Sequence, residues 1–79
     1  MDELEKLRKE IDQIDSKVAK YLKKRLETIE KIRKFKKKSN LNIQDTKRET
    51  EIMSKLETDY EKNIFKEILK QSRKVQQEL

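Results

Sequence analysis

A row of apolar residues in this 79-residue chain holds its register for about five heptads, and no glycine or proline interrupts it. The row reads Leu4, Leu7, Ile11, Ile14, Val18, Tyr21, Arg25, Thr28, Ile32, Phe35, in alternating steps of three and four. That spacing returns each side chain to one face of an α-helix. Without glycine or proline, nothing in the stretch favours a break. A second row, Arg8, Asp15, Leu22, Ile29 and Lys36, lies beside the first and widens the stripe. A helix from about residue 3 to 38 would be roughly 54 Å long at 1.5 Å per residue, too long for a compact domain of this size. A seam of that length predicts a second copy to cover it.

The remainder of the chain predicts two shorter helices, giving an all-α fold of three helices in one small domain spanning residues 1–79. Ser39-Asn40 ends the first helix, with Asn40 as a left-handed C-cap in place of glycine. Leu41 to Gln44 form a short loop, and Asp45 is the N-cap of a second helix over about 46–57. Its buried stripe reads Glu49, Ile52, Met53, Leu56. Thr58 and Glu61 have capping-box spacing and start a third helix over about 59–78. The stripe of that helix is Phe65, Ile68, Leu69, Ser72, Gln76, Leu79. Nothing stronger than Thr58-Asp59 separates the second helix from the third. Fused into one rod, they would hold Glu49 and Ser72 about 34 Å apart, and a shared site would require exchange between chains.

Composition narrows what such a bundle can do. Apolar residues are 32% and charged ones 48%, too lean a mixture for a monomer to fill its own core. Cysteine and histidine are absent, which excludes disulfides, thiolate chemistry, imidazole bases and most zinc sites, so no metal or cofactor is expected. Oligomerisation is the remaining source of stability. No apolar run approaches 18 residues and no signal-like segment opens the chain, so the sequence reads as soluble and cytoplasmic, without a membrane partner. No regulatory segment is visible either, which predicts no allosteric control. The net charge is +6, and Lys31, Arg33, Lys34, Lys36, Lys37 and Lys38 form a basic stretch. It reads chiefly as a solvated face whose cations complement the helix dipole. The few aromatics offer nucleic acid no stacking platform.

Each apolar stripe is nevertheless interrupted by polar groups, and burying these without partners is costly. Of 22 cations only five are arginine, and lysine serves wherever the chain needs solubility alone. Arg8, Arg25 and Arg48 stand out, because a planar guanidinium grips carboxylates in bidentate fashion and tolerates partial burial. Arg25 sits on the seam between Val18 and Ile32, where Leu or Ile is expected, and no acid shares its seam position. Lys36 lies 11 residues on, about 16 Å along the axis and about 20° from alignment, so both project to one side. Arg8 is about 25 Å from Arg25 and rotated by about 100°, beyond reach of the same ligand within one chain. Adding Glu49, Ser72 and Gln76 gives cations, a carboxylate, a hydroxyl and an amide. There is no nucleophile–base pair, metal cluster or glycine-rich phosphate loop. Such a set suits a small anion bearing carboxylates and hydroxyls, and chemistry that relies on orientation and electrostatics.

Five segments together resemble the all-helical chorismate mutases. They are Leu7-Arg8-Lys9-Glu10-Ile11-Asp12-Gln13-Ile14-Asp15, Lys24-Arg25, Lys34-Phe35-Lys36, Asp45-Thr46-Lys47-Arg48-Glu49, and Ser72-Arg73 with Gln76. The resemblance covers essentially the whole chain. It implies an intertwined helical homodimer with two equivalent sites, and the Claisen rearrangement of chorismate to prephenate on the route to phenylalanine and tyrosine. In the roles it implies, Arg25 clamps one substrate carboxylate and Arg8 of the other subunit takes the second. Lys36 and Gln76 hydrogen-bond the ether oxygen, Glu49 binds the ring hydroxyl, and Asp45, Arg48 and Ser72 complete the pocket. Arg33 and Arg73 fall outside this set. The chain departs from the family pattern in its short link between the second and third helices. It also lacks a Pro or Gly before the second helix and has Arg33 where a small residue is common. Two alternatives stand beside this reading: an isochorismate pyruvate lyase on the same scaffold, and a non-enzymatic basic helical dimer that binds nucleic acid or protein. Glu49 and Ser72 favour the mutase over the lyase.

Overall fold

The computed structural model describes residues 2–39, 41 and 45–77, and these form three helices and no strand. Helix α1 spans Asp2–Ser39, α2 spans Thr46–Ser54 and α3 spans Asp59–Gln77. Helix α1 carries Asp2, Glu3 and Glu5 in its first turn and Lys36, Lys37 and Lys38 in its last, each set opposing the partial charge of its helix end. Leu41 N–H donates to Lys36 O at 2.9 Å and satisfies one of the carbonyls left over in the last turn. The Asn40 cap and the loop through Gln44 expected from the sequence lie outside the described residues, except for Leu41.

Asp45 caps α2 as its sequence position predicts. Its backbone is extended (φ −117°, ψ 91°), and its Oδ1 accepts from Arg48 N–H at 3.0 Å. The helix ends at Ser54, three residues short of the expected 57. Its last turn tightens instead of continuing: Lys55 N–H donates to Ile52 O at 3.3 Å and Leu56 N–H to Met53 O at 3.2 Å, both spanning three residues. Ser54 Oγ also donates to Glu51 O at 2.7 Å, drawing on backbone that a longer helix would use. The capping box then opens α3. Glu61 N–H donates to Thr58 Oγ1, and Thr58 N–H donates back to Glu61 Oε1, each at 3.1 Å. Hydrogen bonds from the Thr58 hydroxyl and backbone hold the Glu61 carboxyl below its ordinary value of 4.5. So α2 and α3 are separate helices, not one rod.

Helix α3 packs against α1, and α2 packs against α3. The core between them is thin. Among the described residues only Ile29, Leu69 and Ser72 are buried, with Ile52, Met53, Leu56, Phe65, Ile68 and Val75 half-buried around them. The molecule measures 56 × 24 × 15 Å, and α1 sets its long axis. Its radius of gyration is 16.1 Å, against about 11.6 Å for a compact domain of this length. Much of the apolar seam of α1 is uncovered as a result: Leu4, Leu7, Ile11, Ile14, Val18 and Tyr21 are all exposed. No helix among the described residues is long and apolar enough to cross a membrane.

Candidate active site

The polar interruptions of the three stripes meet where the C-terminal half of α1, the start of α2 and the end of α3 come together. A cavity of about 150 Å³ is lined there by Arg25, Ile29, Ile32 and Lys36 from α1, and by Arg48, Glu49 and Ile52 from α2, with Asp45 at its cap. Leu69, Ser72, Arg73 and Gln76 of α3 close it. Seven of the eight residues singled out from the sequence therefore line one cavity: Arg25, Lys36, Asp45, Arg48, Glu49, Ser72 and Gln76. The break after Ser54 makes this possible, because it lets Glu49 and Ser72 face the same space.

Arg25 is half-buried on the α1 seam, and its Nη1 donates to the hydroxyl of the buried Ser72. Ser72 Oγ in turn donates to Ile68 O at 2.7 Å, so the serine is anchored to its own helix while it receives the guanidinium. No carboxylate among the described residues pairs with Arg25. Burial, and then the like charge of Arg48, lower its pKa below the ordinary arginine value. Both effects disfavour the cation on its own and favour an anion beside it. Lys36 Nζ donates to Gln76 Oε1 at 3.0 Å, and Gln76 Nε2 donates to Ser72 O at 3.3 Å. The lysine and the amide are thus held together on one side of the cavity, and the amide nitrogen keeps a second hydrogen for a ligand. Arg48 is exposed at the rim, where its backbone N–H binds the Asp45 cap.

Of two further placements, that of Arg8 agrees with its single-chain geometry and that of Arg73 departs from the sequence reading. Arg8 is exposed on α1 and lines no part of the cavity, consistent with its axial distance from Arg25. Arg73, which the sequence set outside the site, lines the cavity, and its Nη1 pairs with Glu49 Oε1 at 2.6 Å. A signal for it was present in the choice of cation. Three of the five arginines (Arg25, Arg33 and Arg73) are half-buried, against two of the 17 lysines (Lys36 and Lys62). Arginine is half-buried more often than lysine in this chain, and weighing all five alike would have kept Arg73, together with Arg33, as a candidate.

A larger, apolar groove of about 260 Å³ adjoins the cavity between α1 and α3, lined chiefly by Leu22, Leu26, Ile29, Ile68 and Val75. Arg25 and Ser72 border both spaces. Among the described residues no group of three or more acids, cysteines or histidines is placed to hold a metal ion.

Comparison with known proteins agrees with this arrangement. A conserved hypothetical protein of known structure from Pyrococcus furiosus superposes with a TM-score of 0.86 at 46% sequence identity, covering 94% of this chain and 95% of that one. The bifunctional chorismate mutase/prephenate dehydratase of Aquifex aeolicus (strain VF5) is 43% identical over 56 residues, 71% of this chain. The matched stretch is 16% of that relative's length, so the likeness concerns one part of a longer protein. Residues 7–77 match the family described as chorismate mutase type II, a span that holds every cavity residue named above, and the chain belongs to that family.

Proposed function

We propose that this chain catalyses the rearrangement of chorismate to prephenate, in a pocket completed by a second copy of itself. The observation that carries this reading is the pairing of Lys36 with Gln76 beside Arg25, a cation with no carboxylate partner among the described residues. That is an arrangement for holding an anion against two hydrogen-bond donors. The name of the Aquifex aeolicus relative, which includes chorismate mutase, supports the same activity.

The reaction is an intramolecular exchange of bonds. The ether C–O bond breaks as a C–C bond forms between the side chain and the ring, every atom is retained, and no proton need leave. A nucleophile or a general base is therefore unnecessary. What the protein must supply is a compact conformer of a flexible dianion and stabilisation of the charge that grows on the ether oxygen. In this reading Arg25, held by Ser72, takes one carboxylate, and Arg48 adds positive potential at the rim. The Lys36 ammonium and the Gln76 amide donate to the ether oxygen. Donors fixed before reaction strengthen as that charge develops, which lowers the barrier without reorganisation. Glu49 accepts the ring hydroxyl, and Asp45 orders the start of α2 so that Arg48 and Glu49 stay at the cavity.

The second carboxylate falls to Arg8 of the second copy. Support comes from the uncovered seam, since Leu4 through Tyr21 form an exposed apolar row on the same helix that carries Arg8. An apolar face of this extent is best covered by an identical face across a two-fold axis. The homodimer would then be a condition of activity as well as of stability.

Incubation with chorismate and, separately, with isochorismate tests the reading, following loss of each together with formation of prephenate and pyruvate. Prephenate from chorismate is the expected result. Pyruvate from isochorismate alone would assign the lyase reaction. Turnover of neither at high protein concentration defeats both enzymatic readings and leaves the basic helical dimer.

A further inference from the structure

Arg73 of α3 and Glu49 of α2 form a part-buried ion pair in the wall of the cavity. The Nη1–Oε1 distance is 2.6 Å, and the side chains are 29% and 23% exposed respectively. The pair is not a peripheral decoration. Both residues, with Leu69, also line a neighbouring groove of about 370 Å³ that includes Met53 and Lys66, so the pair stands as a partition between two spaces.

The charges around the cavity give that partition a purpose. Glu49 is an acid in a space that also holds Arg25, Lys36 and Arg48. Left to itself, its carboxylate would compete with an incoming dianion for those cations and repel it as well. Arg73 engages Glu49 from the α3 side and removes it from that competition. The contact is made through one carboxylate oxygen only. Oε2 accepts no hydrogen bond among the described residues and remains able to receive a donor. A charge-assisted bond to Oε1 fixes the carboxylate plane, and with it the direction in which Oε2 accepts.

We infer that Arg73 is a positioning residue for substrate selection: through Glu49 it orients the acceptor of the substrate's ring hydroxyl and neutralises the carboxylate's repulsion of the dianion. The inference rests on the proposed mutase reading and deepens it, assigning Arg73 a part in recognition without contact to the substrate. Both effects act on the bound substrate and the transition state alike, so they belong to KM and not to kcat.

The test is a double-mutant cycle on the full chain with chorismate, comparing the unsubstituted protein, Arg73→Met, Glu49→Gln and the double variant. Arg73→Lys is added as the conservative replacement. Arg73→Met is expected to raise KM about tenfold with kcat changed less than about twofold. In the Glu49→Gln background the same substitution should change KM by less than about twofold, a coupling typical of contacting residues. Arg73→Lys, which keeps the charge, should recover most of the lost affinity. An Arg73→Met variant with unchanged KM, a loss confined to kcat, or an equal loss in both backgrounds would each overturn the inference. Should Arg73→Met fail to fold by circular dichroism, Arg73→Lys decides alone. A modest rise in KM that disappears in the Glu49→Gln background supports positioning, and a rise that persists there refutes it. Prephenate formation by the unsubstituted protein separates this outcome from failure of the underlying reading, which would abolish turnover throughout.

Discussion

The two halves of α1 share one heptad pattern and differ in what covers them. In the C-terminal half, α3 packs over Ile29, which is only 8% exposed, and Arg25 and Lys36 reach partners on α3, while Ile32 and Phe35 at the edge of that contact stay 41% and 63% exposed. In the N-terminal half, Ile11 and Ile14 are each 54% exposed on the same kind of face. The helix is continuous through both. Helix formation in this chain therefore follows from local preference, whereas burial depends on a partner element, and only part of the C-terminal half of α1 finds one within its own chain. The covered half builds the cavity. The uncovered half carries Arg8, the one predicted site residue missing from that cavity.

The largest effect should come from separating the two halves functionally. Arg25→Ala is expected to lower chorismate turnover by about 10²- to 10³-fold, the scale for removing a fixed donor in a polar site, with helicity unchanged by circular dichroism. Arg8→Ala should also impair turnover. If the two arginines of one site come from different chains, refolding the two inactive variants together should restore about a quarter of the activity: about half the dimers are hybrids, each with one intact site of two. No recovery on mixing would place Arg8 outside the partner's site.

Placing a charge on the uncovered half sharpens the comparison at the level of assembly. Ile14→Asp should lower the molar mass measured by light scattering to that of a single chain and reduce thermal stability. If Ile14 faced only solvent, both measurements would stay as they were. In the covered half, Ile29→Ala should cost about 2–5 kcal/mol of stability, as for other large-to-small core changes. Denaturant titration of an assembly-competent sample measures it. An effect below about 0.5 kcal/mol, the range of a surface change, would mean that α3 does not seal this half.

The smallest effect lies at the N-terminus of α3, which presents the Ser72–Gln76 face to α1. Glu61 has its pKa lowered in the folded chain, chiefly by the Thr58 hydroxyl, then by Thr58 backbone. A lowered carboxyl pKa contributes stability that is present above the unfolded value. That stability is lost as pH falls from about 4.5 through the lower folded value. Glu61→Gln should thus flatten the acid limb of a thermal-stability profile in that window and leave stability near pH 7 only slightly changed. An unchanged acid limb would show that other carboxyls control it.

How far the sequence reached varies from element to element in a way that has physical causes. The seam, the Asp45 cap and the Thr58–Glu61 box are local, set by side chains within four residues of the backbone they organise, and each of the two caps reappears at hydrogen-bond distance. The end of α2 was less legible. The stripe through Leu56 continues at helical spacing, and Leu56 is half-buried even though the helix stops at Ser54. A side chain just past a helix end can still turn inward, so periodicity overstated the length. The Arg73–Glu49 pair was out of reach for a different reason. Its members lie 24 residues apart on separate helices, and the pairing depends on the angle at which α2 meets α3.

By itself, then, the sequence determined that there are three helices, the Asp45 and Thr58–Glu61 caps, the polar residues that interrupt each apolar face and the family pattern that joins them. All of these are encoded in spacing along the chain. The tertiary structure decided which of those faces meet. It separated α2 from α3, brought Glu49 and Ser72 to one cavity, and added Arg73 to a wall from which the sequence had omitted it. It also left most of the apolar seam of α1 uncovered. Packing angles and non-local ion pairs arise from the joint geometry of several elements, and no single stretch of residues specifies them.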